Sequence, residues 1–144
     1  MKSEFWLYFE NGLPKGTAQQ KGERIAYRIS GGKRVPYIHH YKKANVAAVR
    51  KELEYKLKQY APKQPSDKPI KICVELFFSV KAPHRIWGHF KPTKPDGSNY
   101  CKELFDAMTA TGYWIDDAQL VDERIKKYYA SSSAIHIIYE EVEP

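Results

Sequence analysis

From Ile70 to Val80 the sequence IKICVELFFSV alternates without interruption. Ile70, Ile72, Val74, Leu76, Phe78 and Val80 fall on one face, while Lys71, Glu75 and Ser79 fall on the other. A period of two is the signature of a strand with one buried face. Such a strand needs hydrogen-bonded neighbours and a second layer to cover its apolar side, so this stretch commits the chain to a packed antiparallel or mixed sheet. Pro62, Pro65 and Pro69 bar regular structure immediately before it.

The remaining elements supply the partners. FWLYF at 5–9 reads as a first strand, followed by the turn chemistry of NGLPKG. ERIAYRIS and KRVPYIHH flank Gly31-Gly32 and read as a hairpin. Val46, Val49, Leu53 and Leu57 recur at helical spacing in the Lys-rich segment 44–59. A second helix is expected from Asn99 to Thr111, with Tyr100, Leu104 and Met108 on one stripe and Gly112 to stop it. QLVDERIKKYYA and SSAIHIIYEEV read as two closing strands, joined by the serines at 131–133. Strands and helices do not alternate regularly, which disfavours a doubly wound sheet. The expectation is an α+β fold, a small mixed sheet packed with two main helices, with residues 1–144 forming a single domain.

Several classes of function fall away. No run approaches 18 apolar residues, so no membrane span is expected. MKSEFWLYFENG has no long apolar stretch, so no signal peptide is expected either. Cys73 and Cys101 lie far apart and match no zinc spacing, and read as reduced, small buried residues. A soluble cytoplasmic protein is the expectation. Its charge is lopsided, with 24 Lys and Arg against 17 Asp and Glu, a formal net charge of +7. A basic surface points towards a polyanion or an acidic partner.

Against that background, the carboxylates of KPDGSNYCKELFDAM (94–108) and WIDDAQ (114–119) call for a reason. Asp96 stands in a Pro-Asp-Gly turn before the second helix. Asn99, Lys102 and Asp106 share a face opposite the apolar stripe, and Asp116 and Asp117 precede the next strand. Carboxylates repel a polyanion unless a cation stands between them. Mg²⁺ prefers carboxylate, water and phosphate oxygens. Held by Asp96 and Asp117, it can polarise a phosphodiester and activate a bound water, with Lys102 neutralising the developing charge. The same spacing also fits a helix cap at Asp96, an i,i+4 surface pair of Lys102 with Asp106, and a solvated turn at Asp116-Asp117.

The block from Pro95 to Leu120 resembles the RusA family of Holliday-junction endodeoxyribonucleases. That family carries Pro-Asp-x-Asp-Asn-x-x-Lys, then Asp-Ala-hydrophobic, then an aromatic and Asp-Asp-x-Gln-hydrophobic. Here the residues are Pro95-Asp96-Gly97-Ser98-Asn99-Tyr100-Cys101-Lys102, Asp106-Ala107-Met108, and Trp114-Ile115-Asp116-Asp117-Ala118-Gln119-Leu120. The resemblance implies a small α+β homodimer, bacterial or phage-encoded, that cuts four-way DNA junctions by paired incisions using Mg²⁺, with Mn²⁺ as a substitute. It implies that Asp96, Lys102 and Asp117 are catalytic and that Asp96, Asp117 and Asp116 surround the metal. The family's second aspartate is Ser98 here, so Ser98 and Asn99 become metal or supporting positions. That departure raises an alternative, a catalytically weakened or inactive protein that binds branched DNA. An interaction protein whose basic face meets an acidic partner is a further rival.

Lys91, Lys94, Arg85, Lys126 and Lys127 flank the block and are candidate phosphate contacts. Lys15, Lys21, Arg24 and Arg28 make a second basic group. Trp87 and Tyr113 are expected in the core, while Phe90 is open between packing and stacking on an unpaired base. Glu75 is a candidate compensating ligand for the lost carboxylate at 98. His39-His40 reads as a loop or DNA-facing pair, His84 and His89 as loop residues with assistance in proton transfer as the lesser alternative, and His136 as structural.

Overall fold

The computed structural model describes residues 2–14, 21–42 and 44–144, and their side chains except those of 21–24, 39–42 and 44–46. The alternating stretch forms β4 (Ile70–Ser79), the fourth strand in chain order. Ile70, Ile72, Val74 and Leu76 are buried as the pattern requires. Phe78 packs partly against the core, and Val80 lies just past the strand end.

β4 sits inside a four-stranded sheet with β1 (Lys2–Phe9), β5 (Leu120–Ala130) and β6 (Ser133–Glu141), in the order β1-β6-β4-β5. β6 runs antiparallel to both β1 and β4, whereas β4 and β5 are parallel. Parallel neighbours cannot be joined by a tight turn and need a crossover. α2 (Gly97–Ala110) is that crossover and covers one sheet face. Tyr100, Cys101, Leu104, Phe105, Ala107 and Met108 are its buried side chains. α1 (Ala44–Lys58) adds Val49, Leu53 and Leu57 to the same core. The two helices are also pinned by Arg50, which donates to Glu103 Oε1 at 3.3 Å and to the Asp106 carbonyl at 3.1 Å. The expected two-helix, mixed-sheet α+β arrangement is the one found.

The exit from α2 is built with unusual economy. Gly112 adopts φ 92°, its N–H donates to Thr109 O at 3.2 Å, and the next N–H, of Tyr113, donates to Met108 O at 3.1 Å. These two bonds make a Schellman stop. Tyr113 then turns inward, fully buried, and its hydroxyl donates to Leu57 O at 2.6 Å. Trp114 follows it into the core, with Nε1 donating to Thr109 Oγ1 at 2.8 Å.

The opposite sheet face carries a row of stacked rings. Trp6 lies 4.2 Å from His136 and 5.5 Å from Phe77, Phe77 lies 5.2 Å from Tyr128, and Tyr128 lies 5.0 Å from Phe90. His136 is buried there, with Nδ1 2.8 Å from Glu75 Oε1, in agreement with a structural role. Trp87 departs from expectation: it is 39% exposed rather than in the core. Its indole N–H reaches Val80 O at 2.9 Å and its ring stacks on His84, which holds it on the loop instead.

β2 (Lys21–Ser30) and β3 (Lys33–Lys42) form a separate two-stranded sheet closed at Gly31-Gly32, with Ser30 opposite Lys33. None of its described side chains joins the core cluster. Lys15 lies outside the described residues, as do the side chains of Lys21, Arg24, His39, His40 and Val46. Among the described residues no helix is long and apolar enough to cross a membrane.

Gly112 offers a direct test of the helix exit. A side chain there would meet nothing closer than Pro65 Cγ at 4.0 Å, so only the backbone conformation resists it. Gly112→Ala is expected to lower stability by about 1 kcal/mol, a few degrees in Tm, in thermal or urea unfolding. An unchanged midpoint would show that the left-handed stop does not restrain the turn that follows.

Candidate active site

Asp96 occupies the N-cap of α2 in an extended conformation. Its Oδ1 accepts from Ser98 N at 3.0 Å, Ser98 Oγ at 2.7 Å and Asn99 N at 3.3 Å. The Ser98 hydroxyl and then the Asn99 N–H favour the ionised form and hold this carboxyl below its ordinary value, in an exposed position. Gly97, the first helical residue, permits close approach to β5. A Cβ there would stand 3.0 Å from Ile125 Cγ2, so even alanine would require the Ile125 side chain to give way by a few tenths of an ångström.

The second acidic stretch is organised by a cap of its own. Asp116 opens a 3₁₀ turn at Asp117–Gln119, and its Oδ1 accepts from Ala118 N at 2.9 Å. Gln119 Oε1 accepts from the N–H groups of Ile115 and Asp116, both at 2.9 Å. Its Nε2 donates to the carbonyls of Ser66 and Lys68, again at 2.9 Å. Asp116 and Gln119 therefore form a capping box braced on the 66–68 segment. Asp117 stands between them with its side chain exposed.

Asp117 shares an open groove of about 390 Å³ with Ser98, Lys102, Phe105, Asp106, Leu120 and Glu123. Partial desolvation raises its carboxyl pKa, and the neighbouring Asp116 and Asp106 carboxylates raise it further. Accumulated negative charge of this kind is relieved by a cation. Lys102 lies along the same groove, with Nζ 3.5 Å from Asn99 Oδ1, rather than in the simple pair with Asp106 that the spacing also allowed.

The groove thus unites Ser98, Lys102 and Asp117 with Asp106 and Glu123, while Asp96 does not line it. Asp106 was visible in the sequence as a member of the Asn99/Lys102 face, without a role attached. Glu123 was missed. The signal was present in β5, where Glu123 lies two residues before the half-buried Ile125 and therefore on the face turned to α2. Among the described residues no three Asp, Glu, His or Cys side chains form a ready-made metal cage.

The flanking cations have diverse placements. Lys127 Nζ donates to Thr93 O at 2.7 Å and Pro95 O at 2.8 Å, tying the loop before α2 to β5. Lys91 Nζ donates to Thr93 Oγ1 at 2.7 Å and lies 5.1 Å from the Tyr129 ring centre. Lys126 is on the far sheet face, 3.8 Å from Glu75. Glu75 is occupied there by His136 and Lys126, across the sheet from the groove. Arg85 and Lys94 are exposed, as are His84 and His89, and none of these four lines the groove. Phe90 is 69% exposed and stacked on Tyr128.

Comparison with known proteins bears on this arrangement. The family profile described as Endodeoxyribonuclease RusA matches residues 12–139. The crossover junction endodeoxyribonuclease rusA of Lactococcus phage r1t is 35% identical over 92 residues, which is 62% of this chain and 70% of that protein. Proteins of the same name from Escherichia coli K12 and Enterobacteria phage 82 are each 53% identical over 32 residues, 22% of this chain and 27% of theirs.

The Asp96 cap generates a prediction with a defined sign. Because the folded carboxyl is held below its ordinary pKa, its stabilisation is present at neutral pH and lost as pH falls through that lowered value. Asp96→Ala should lower Tm at pH 7, and the gap to wild type should shrink in acid. Asp96→Asn should keep the wild-type Tm at pH 7, since asparagine caps a helix as well as aspartate. Equal loss in both variants at pH 7 would refute the cap as the stabilising contact.

Proposed function

The chain belongs to the endodeoxyribonuclease RusA family, and from that premise we propose that it resolves four-way (Holliday) DNA junctions by paired, metal-dependent phosphodiester incisions, acting as a homodimer in the bacterial cytoplasm. The observation that carries this reading is the groove itself. In a chain of net charge +7, Lys102 and the carboxylates of Asp106 and Asp117 line one open surface groove.

Asp117, with Asp106 beside it in the groove, would hold the ion, joined from the helix entrance by Asp96, which is bonded to the groove residue Ser98. Oxygen donors of this type suit Mg²⁺ or Mn²⁺, and Mg²⁺ is commonly bound by one or two carboxylates together with substrate phosphates and water. When bound, such an ion lowers the pKa of a water and stabilises the leaving oxygen. Asp116 serves by capping: with Gln119 it keeps Asp117 at the groove. Ser98 donates to Asp96 and so keeps that carboxylate ionised. Lys102 brings a positive charge to the phosphate as charge builds on it. Lys127 acts indirectly, since its bonds to Thr93 and Pro95 carbonyls fix the loop that presents Asp96. Lys91, Lys94 and Arg85 are assigned to the DNA backbone. Lys126 is assigned there too, reached from the far sheet face.

A labelled four-way junction, with and without Mg²⁺ and beside linear duplex, tests the reading. Wild type should nick the junction only with metal. Asp117→Asn should abolish nicking while leaving junction binding unchanged or slightly tighter, because negative charge is removed near phosphate. Lys102→Ala should slow cleavage by about 10²- to 10³-fold with little change in affinity. Wild-type nicking by Asp117→Asn would sink the proposed metal position.

Paired incisions require two sites related by a two-fold axis, which a C₂ dimer supplies. Light scattering at micromolar concentration should therefore report about twice the 16.8 kDa chain mass. A monomer that stays monomeric on a junction would refute the dimer.

A further inference from the structure

The β2–β3 hairpin is the part of the molecule that the groove does not explain. Residues 21–42 hold six cations, Lys21, Arg24, Arg28, Lys33, Arg34 and Lys42, against one acid, Glu23. That is a net +5 out of the chain's +7, gathered in 22 residues. The hairpin also keeps apolar side chains in water. Ile25, Tyr27 and Ile29 alternate along β2 on one face, and Ile38 faces the same way opposite Ile25. Ile29 is 79% exposed and Ile25 67%. Arg34, opposite Ile29, lies 4.3 Å from the Tyr27 ring centre. Arg28 and Lys33 belong to the other face.

A lone two-stranded hairpin is marginal in water, and this one sends no described side chain into the core. It therefore calls for a partner. A second copy meeting it face to face would bring two strongly basic ribbons together. A duplex supplies the opposite charge in the matching shape. Each strand has 10 residues, about 33 Å of ribbon, close to one turn of B-DNA. The major groove, about 12 Å wide, admits a two-stranded ribbon flanked on both sides by phosphates, and thymine methyl groups there accept apolar contact.

We propose that the β2–β3 hairpin is a duplex-binding arm that lies in the major groove of a DNA arm beside the incision. Ile25, Tyr27 and Ile29 rest on the groove floor, Arg34 on the same face meets a phosphate of the groove wall, and Arg28 and Lys33 on the outer face reach sideways to phosphates at the groove rim. The placement beside an incision rests on the junction-cleaving reading, whereas duplex binding by the arm does not. The arm carries affinity and leaves the chemistry to the groove on α2.

The test uses the full chain and the variant Arg28→Ala/Lys33→Ala/Arg34→Ala, with fluorescence anisotropy on a four-way junction and on a plain duplex over a salt series. Each lost phosphate contact lowers the slope of log K against log salt by about 0.9. The triple variant should therefore lose about 2 to 3 in slope on both DNAs and bind at least about tenfold more weakly near physiological salt. Its single-turnover cleavage at saturating protein should equal wild type. Arg28→Lys/Arg34→Lys should keep the wild-type slope, because the charges remain. Wild-type affinity and slope in the triple variant would overturn the arm, even if wild type cleaves junctions normally. Weaker binding with an unchanged slope would overturn the phosphate contacts. A halved mass in light scattering would give the hairpin to a second copy. If wild type binds duplex through the arm but never nicks a junction, the arm stands and the nuclease reading falls. If wild type binds neither DNA, both fall.

Discussion

The parallel pairing of β4 with β5 is the constraint on which the groove depends. Two parallel neighbours demand a crossover, and the crossover here is α2, laid on the sheet by Leu104, Met108 and Cys101. Its polar face holds Lys102 and Asp106, and its exit must return the chain to the start of β5. Tyr113 and Trp114 make that return rigid by being buried as soon as the helix ends. Asp117 is thereby set beside the helix that left Asp96 some twenty residues earlier. A hydrophobic requirement, covering one face of a sheet, ends by determining where carboxylates stand.

Around that frame, polar contacts do the fine positioning. Three caps act in succession between Asp96 and Gln119: Asp96 at the start of α2, Gly112 at its end, and the Asp116–Gln119 box before β5. Each satisfies backbone groups that a helix end would otherwise leave unpaired. In two of them the capping residue is also an acid of the family motif. Capping and metal binding are compatible for a carboxylate, because it has two oxygens and several lone pairs. The motif therefore encodes a shape as well as a donor set, and part of its length is needed for the turn alone.

Charge is distributed to match. The groove on α2 gathers acids, raising the carboxyl of Asp117, whereas most of the net positive charge sits in the hairpin. A cation at the acids and a polyanion along the hairpin would each be attracted without cancelling the other. The second sheet face, with its stacked Trp6, Phe77, Tyr128 and Phe90, belongs to neither pattern.

Much of the secondary structure was legible in the sequence, because it rests on local periodicity. The alternation of 70–80, the stripe of Tyr100, Leu104 and Met108, and the glycine pair at 31–32 each determine their own element. The acidic motif was legible for a related reason: caps and turns are short-range, so Asp96, Asp116 and Asp117 keep fixed spacings. Only the tertiary structure decided which of these residues meet. Strand pairing is a long-range matter, and it was the parallel β4–β5 pairing that carried Glu123 into the groove and the return from α2 that set Asp117 beside Asp106. Trp87 illustrates the same limit, since hydrophobicity alone places an indole in the core, but its N–H found Val80 O and its ring found His84 on the loop. Period and spacing act within a few residues of chain. The face a side chain finally occupies depends on a partner strand or helix tens of residues away.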